Sequence, residues 1–311
     1  MSPTPLRVTA FAPGSIGNVG PGLDILGLAV AGAGDEVTVE RTGGDAIVVR
    51  DPGHRDLPTD SKRHTSALAA REVLRRAAAE GIGLALSVRK GLPLSGGQGG
   101  SAASAVAGAV AVNHLLGSPL DRDTLLVACL EAEAAVAGRH ADNVAPSLFG
   151  GIVLVRTTDP PDVVRLPVPP DLRVAMVHPD QRLRTRDSRA VLPTDVPLAT
   201  ALHQAAQVAA IVAALGAADY ALLGRALDDR IAEPARAKLL PGFAAAKRAA
   251  LAAGALGASI SGSGPTAFAL ARGDAGARAA GAAMVAAYAD AGISATVRVA
   301  DVDREGARVI A

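Results

Sequence analysis

Apolar runs, their spacing and the turn residues between them predict a chain that alternates strands with helices. Leu6 to Phe11 predicts a first strand, running straight into residues 12–27 (APGSIGNVGPGLDILG). Five glycines and two prolines in that stretch predict a loop rather than a regular element. β-Branched residues between turn signals predict strands at Glu36–Glu40 and Ala46–Arg50. Thr65 to Glu80 reads as a helix, with Leu68, Val73 and Leu74 on or near one face and Gly81 as its stop. Leu84 to Arg89 predicts another strand. From Ser101 the pattern is helical and apolar almost all round, which predicts a helix buried on several sides. A second helix is expected over Thr124–Ala137, then an irregular loop over residues 138–151 (GRHADNVAPSLFGG), then a strand at Ile152–Arg156.

The pattern changes at Thr157 to Pro170, a proline-rich stretch that predicts a boundary between a unit of residues 1–160 and one of residues 161–311. Beyond it Arg173–His178 reads as a strand. Helices are expected near Leu198–Leu215, Tyr220–Arg230, Pro241–Ala253 and Gly276–Ala291. Strands at Ala258–Ser261, Thr266–Ala271 and Ala295–Val299 complete a mixed second half. Strands and helices alternate without an early dinucleotide-binding βαβ fingerprint, which favours a layered α+β architecture.

Composition narrows the function classes. The chain has 31 basic and 30 acidic residues and only 2% aromatic ones, so it lacks the basic face and stacking aromatics of a nucleic-acid binder. The core must be built from Ala, Val, Leu and Ile. The single cysteine, Cys129, lies in an apolar helical run and reads as a small buried hydrophobe. No uninterrupted apolar span long enough to cross a bilayer is expected, and Met1 to Leu6 shows no leader pattern, so the cytoplasm is the expected address.

The richest chemistry lies in Pro93 to Ser104 (PLSGGQGGSAAS). Its glycines run directly into a helix, an arrangement that lets free N–H groups face an anion at the positive end of the helix dipole. No Gly-Lys-Ser/Thr closes it, so it is not the loop of P-loop ATPases. The alternative is a tight turn whose glycines serve packing alone. Ser101 and Ser104 are placed either to cap the helix or to join a magnesium shell, with Glu131 or Glu133 on the next helix as the carboxylate.

Four separated segments, taken with these, resemble the GHMP kinases, and within them the homoserine kinases. The segments are residues 12–27, the phosphate loop, the stretch LEAEAAVAGRHADNVAPSLFGG and the late segment GASISGSGPTAFAL; IAEPARAKLLPG is also similar. The likeness runs from about Val8 onward. It implies a two-domain α+β fold, with a ribosomal-protein-like βαβ N-terminal domain and a ferredoxin-like C-terminal domain facing each other across a cleft. It further implies ATP-dependent phosphorylation of the L-homoserine hydroxyl in threonine biosynthesis, with Mg2+, in a homodimer that binds neither nucleic acid nor membrane.

Residue by residue, the resemblance assigns substrate contacts to Asn18, Asp24, His140, Thr185, Arg189 and Arg236. Nucleotide contacts fall on His64, Lys90, Pro93, Ser95, Gly96, Gly97, Gln98, Gly99, Gly100, Ser101 and Ala102, and on Ser261, Gly262 and Ser263. Ser101 and Glu133 match the metal site. Asn143 stands where some relatives carry a catalytic Asp, which implies a transfer without a dedicated strong base. Gln98 replaces the usual Leu, Gly100 the usual Ser, Leu23 a common Phe and His64 a frequent Asn. These departures keep two rivals in view: a kinase of the same fold acting on another small alcohol, and a non-catalytic nucleotide- or amino-acid-binding homologue. An acceptor screen separates the first, and homoserine-dependent ATP hydrolysis excludes the second.

Overall fold

Alternation of buried and exposed positions becomes two sheets in the computed structural model, which describes residues 6–311. The expectation for Met1 to Leu6 therefore lies outside the described residues, Leu6 apart. In the first sheet β1 (Arg7–Gly17) runs antiparallel to β2 (Leu26–Arg41), and β2 also pairs with β4 (Leu84–Arg89). The parallel pair β3 (Ile47–Asp51) and β4 is connected through α1 (Thr65–Arg76), giving a βαβ unit. Helices α2 (Gly100–Leu115), α3 (Arg122–Ala134) and α4 (Ala141–Phe149) complete a helical layer against this sheet. Val8, Ala10, Val37, Val39, Leu84 and Leu86 point into that layer from alternate positions. Helix α2 is buried nearly all round, as its pattern predicts.

The hairpin β5 (Ile152–Thr158) and β6 (Pro161–Leu166) hangs from the β2 end of the same sheet. The proline-rich stretch thus contains a strand of the first sheet. The second sheet has the order β10-β7-β9-β8, all antiparallel, from β7 (Leu172–Pro179), β8 (Gly257–Ile260), β9 (Ala267–Arg272) and β10 (Ala295–Asp301). Its residues alternate faces: Val174 and Met176 meet Ile16, Leu26 and Leu28 of the first sheet, while Ala175 and Val177 meet α9 (Phe243–Ala252) and α10 (Gly273–Asp290). A shared apolar layer therefore joins the two halves. Finally β11 (Arg308–Val309) returns to pair with β1.

Several sequence expectations change. Residues 12–27 are strand for much of their length, because a bulge at Pro13/Gly14 shifts the register and lets β1 continue to Gly17. Residues 138–151 hold helix α4. Its Pro146 removes the N–H that would bond the Asp142 carbonyl, and that carbonyl lies against Gly27, where a Cβ would come within 1.9 Å of it. Helix α1 stops at Arg76, with Ala78 (φ 50°) taking the left-handed position expected of Gly81. The helix expected over Tyr220–Arg230 ends early, as α7 (Tyr220–Ala226). Short helices α5 (Thr185–Ala190) and α8 (Ala232–Arg236) carry no periodicity long enough to predict. One helix reaches the length and hydropathy of a membrane span, although His203, Gln204 and Gln207 interrupt its apolar run. Helix α6 (Leu198–Ala217), at a mean hydropathy of 1.5, is long and apolar enough by length and composition, with 22% of that window buried.

Candidate active site

A cleft of about 830 Å³ opens between the halves, a normal volume for a small-molecule site. The glycine loop forms one wall. Its carbonyls all turn away from the cleft into bonds. Gly96 O accepts from the Thr266 hydroxyl at 2.5 Å and Gly97 O from the Ser261 hydroxyl at 2.6 Å. Gln98 O accepts from the Ser15 amide at 3.0 Å, Gly99 O from the Ala103 amide at 2.9 Å, and Gly100 O from Lys90 Nζ at 2.9 Å. Among the described residues no hydrogen bond engages the amides of Gly96 to Ala102. A row of bonded carbonyls with free amides at a helix N-terminus is an anion cradle. Gly97 (φ 71°) has no tolerance for a side chain, since a Cβ would lie 2.5 Å from Ser261 O.

Behind the loop sits a buried charge network. Asp35 is fully buried and forms an ion pair with Lys90 Nζ. The Ser104 hydroxyl donates to Asp35 Oδ2 at 2.6 Å, and Lys90 also donates to Ser104 Oγ at 3.0 Å. All three ammonium protons of Lys90 are thus engaged. On the open side, Ser101 Oγ donates to Glu133 Oε1 at 2.6 Å. Burial pushes the Glu133 carboxyl above its ordinary range, and its Oε2 is buried with no partner. A hydroxyl and a half-satisfied buried carboxylate facing a phosphate cradle are hard oxygen donors of the kind magnesium takes.

The opposite end of the cleft is built from side-chain charge. Asn18 (φ 55°) and Asp24 (φ 61°) hold left-handed positions, locked by the Asp24 amide donating to Asn18 Oδ1 at 2.8 Å. Arg189, from α5, clamps the Asp24 carboxylate with two N–H groups and donates a third bond to His140 Nδ1 at 3.0 Å. His140 Nδ1 is therefore the acceptor, and Nε2 carries the proton it gives to Ala137 O. Arg236, at the end of α8, is 2% exposed. It donates to Gly262 O at 2.9 Å and Ser188 O at 3.4 Å. Among the described residues it has no ion pair, and burial, then Arg189, pushes its pKa down. A buried guanidinium without an acid is a site for an anion.

Of the site candidates singled out from sequence, Gln98, Ala102, Ser261 and Glu131 do not line the cleft, and the others do; Glu131 pairs with Arg139 instead. Ala102 is buried in α2. Gln98 instead sends its amide to Thr266 Oγ1 at 3.2 Å, bracing the loop against the second sheet. His64, at the far rim, is buried, its Nε2 lies 3.3 Å from Pro52 O, and burial lowers its pKa. Thr185 Oγ1 lies 3.4 Å from Ser263 Oγ. Asn143 is fixed by Ser15 Oγ donating to its Oδ1 at 3.1 Å. Sequence reasoning missed Asp142, which stands between His140 and Asn143 and accepts from the Asn18 amide at 2.9 Å. Burial, then the neighbouring Asp24 charge, pushes its pKa up to about 7. Its signal was an acid flanked by two chosen residues at a helix start that read as loop. Asp35 and His178 were missed as parts of the site as well; Asp35 looks like any strand acid locally, and Ser104 meets that acid rather than the metal position expected of it.

The family model for the GHMP kinases N terminal domain matches residues 65–151, and that for the GHMP kinases C terminal domain matches residues 211–290. Together these cover more than half of the chain and define a GHMP-type kinase. The homoserine kinase of Chlorobium phaeovibrioides is 42% identical over 97% of this chain and 99% of that protein. The homoserine kinase of Arabidopsis thaliana is 42% identical over 99% of this chain and 86% of that protein. A crystal structure of homoserine kinase from Cytophaga hutchinsonii superposes with a TM-score of 0.96 at 40% identity, covering 100% of this chain and 99% of that one. The chain belongs to the homoserine kinase family. The L. major mevalonate kinase structure, with a TM-score of 0.70 at 18% identity, shares the fold.

Proposed function

We propose that the protein transfers the terminal phosphoryl group of ATP to the side-chain hydroxyl of L-homoserine, giving O-phospho-L-homoserine and ADP, the step that feeds threonine synthesis. The observation carrying this reading is Arg236, a buried cation without an acid, in the same cleft as the amide cradle and Asp24. A sugar or a simple alcohol has no carboxylate to offer it.

Arg236 takes the substrate carboxylate, with Thr185 and Arg189 beside it. Asp24 accepts from the ammonium while it stays paired with Arg189, since a carboxylate has lone pairs for both. Asn18 and His140 close the same end. Asn143 orients the accepting hydroxyl; it cannot serve as a base, and the hydroxyl proton leaves to phosphate or water. The free amides of the glycine loop, with Gly262 and Ser263 opposite, hold the phosphates in line, so positioning and charge neutralisation do most of the work. Lys90 acts from behind the loop by fixing Gly100, and His64 borders the base. Ser101 and Glu133 fit magnesium, because the orphaned Glu133 oxygen beside a hydroxyl suits a hard cation. The chemistry supplied by bound Mg2+ is neutralisation of charge on the terminal phosphates. A cytoplasmic homodimer, without nucleic-acid or membrane partners, is proposed by analogy with the family.

ADP release by purified protein with ATP, magnesium and an acceptor panel tests the reading. Release confined to homoserine is expected. Release with mevalonate or galactose in its place overturns the substrate assignment.

A further inference from the structure

We propose that Gln204 is a positioning residue that fixes the separation between the ammonium end and the carboxylate end of the substrate pocket. The inference rests on the homoserine reading and deepens it. The two ends are carried by different segments. Asn18 and Asp24 ride on the connection between β1 and β2, whereas Arg236 closes the five-residue helix α8. Each segment has its own internal bonds but no element of its own to fix its place relative to the other: the connection is an irregular loop, and α8 is little more than one turn.

One side chain ties them together. Gln204, on the inner face of α6 and 9% exposed, uses both amide protons: one goes to Pro21 O at 2.9 Å, the other to Asp229 Oδ1 at 2.7 Å. Its Oε1 accepts from the Arg230 amide at 3.2 Å. Asp229 in turn accepts from the amides that open α8: Ile231, just before the helix, at 2.8 Å, Ala232 at 3.1 Å and Glu233 at 2.8 Å. A chain of hydrogen bonds thus runs from the Asp24 connection, through Gln204 and Asp229, to the start of the helix that ends at Arg236. The Ser259 hydroxyl and Lys247 hold Glu233 on the other side of α8, so the helix cannot roll. Leu227 packs against Gly20 of the same connection, where a Cβ would come within 2.6 Å of it. Gln204 itself touches neither the cleft nor a charged site residue, so its effect passes through geometry.

An α-amino acid must satisfy Asp24 and Arg236 at once, and a fixed span between them is what rewards carrying both charges. The test compares wild type with Gln204→Leu, which removes both donors at similar size, using homoserine, 4-hydroxybutyrate (no ammonium) and 3-aminopropan-1-ol (no carboxylate). Gln204→Leu is expected to raise the KM for homoserine at least tenfold while the KM for ATP stays within twofold. Its preference for homoserine over either truncated acceptor should fall at least tenfold. Gln204→Glu keeps the acceptor for Arg230 but not the donors and is expected to do the same; it serves if the leucine variant does not fold. Homoserine KM and preference unchanged within twofold, or homoserine and ATP KM rising in step, would overturn the proposal. A wild type that ignores homoserine overturns the parent reading, whereas an active wild type with an indifferent Gln204→Leu overturns only this one.

Discussion

The two ends of the cleft are made of different materials. The end proposed for phosphate is mostly backbone: free amides, bonded carbonyls, and a neutralised ion pair behind them. The end proposed for the amino acid is side-chain charge, with one clamped pair and a buried guanidinium that has no acid partner among the described residues. Backbone recognition suits a ligand that is always ATP, because every amide offers the same donor and needs only the right loop shape. Side-chain recognition suits the ligand that distinguishes one kinase of this fold from another.

The contrast is broken most directly by Arg236→Ala. Removing this buried cation, which has no acid partner among the described residues, should lower kcat/KM for homoserine about a thousandfold while the ATP KM changes little. Equal loss on both substrates in steady-state kinetics would mean that the two ends are not separable. Next comes Asp35→Ala, which strands Lys90 without its carboxylate behind the loop. Breaking a buried pair costs about 3–5 kcal/mol, so urea midpoints should fall sharply; a wild-type midpoint would mean that the pair does not hold the loop.

Asp142 gives a pH-dependent test at the boundary between the ends. Its pKa rises from 3.8 to about 7 on folding, so the folded state holds the proton more tightly. Stability from this group is present at low pH, falls as pH rises through the window between those values, and is level above it. Denaturation midpoints of wild type should therefore decline relative to Asp142→Asn from about pH 4 to 7. Parallel curves would remove Asp142 as the titrating group. The smallest effect belongs to Gly100→Ser. A Cβ there would find Lys90 Nζ at 3.4 Å, an ordinary contact, and Gly100 has no left-handed φ. Turnover should change less than about twofold, because the loop works through amides that serine also has.

The same division explains what the sequence made legible. A backbone site advertises itself, since glycine strings permit the loop's shape, and Gly96–Gly100 read from the sequence as a candidate phosphate cradle or a tight packing turn. Long periodic elements such as α2 and β4 were equally clear. The charged end read only through family likeness, because Asp24 and Arg189 are 165 residues apart and neither looks unusual locally. The pairing of Asp35 with Lys90 is hidden for the same reason, one on β2 and one just after β4. Residues 138–151 read as a loop because Gly138, Pro146 and the closing glycines are breaker signals, yet Gly138 and Gly150 flank the helix and Pro146 lies inside it, where its backbone passes close to Gly27. Gln98 shows the reverse: a polar residue in the glycine loop braces it against Thr266 and does not line the cleft.

Strand β11 sets an order of manufacture. Its partner β1 leaves the ribosome first, and Ala10 cannot meet Val309 until nearly everything between them has been translated. The early half therefore emerges with one flank of its sheet unpaired and, until then, open to other strands. Nascent chains arrested before Arg308 should be captured by chaperones in pull-downs, and those that include β11 should be released.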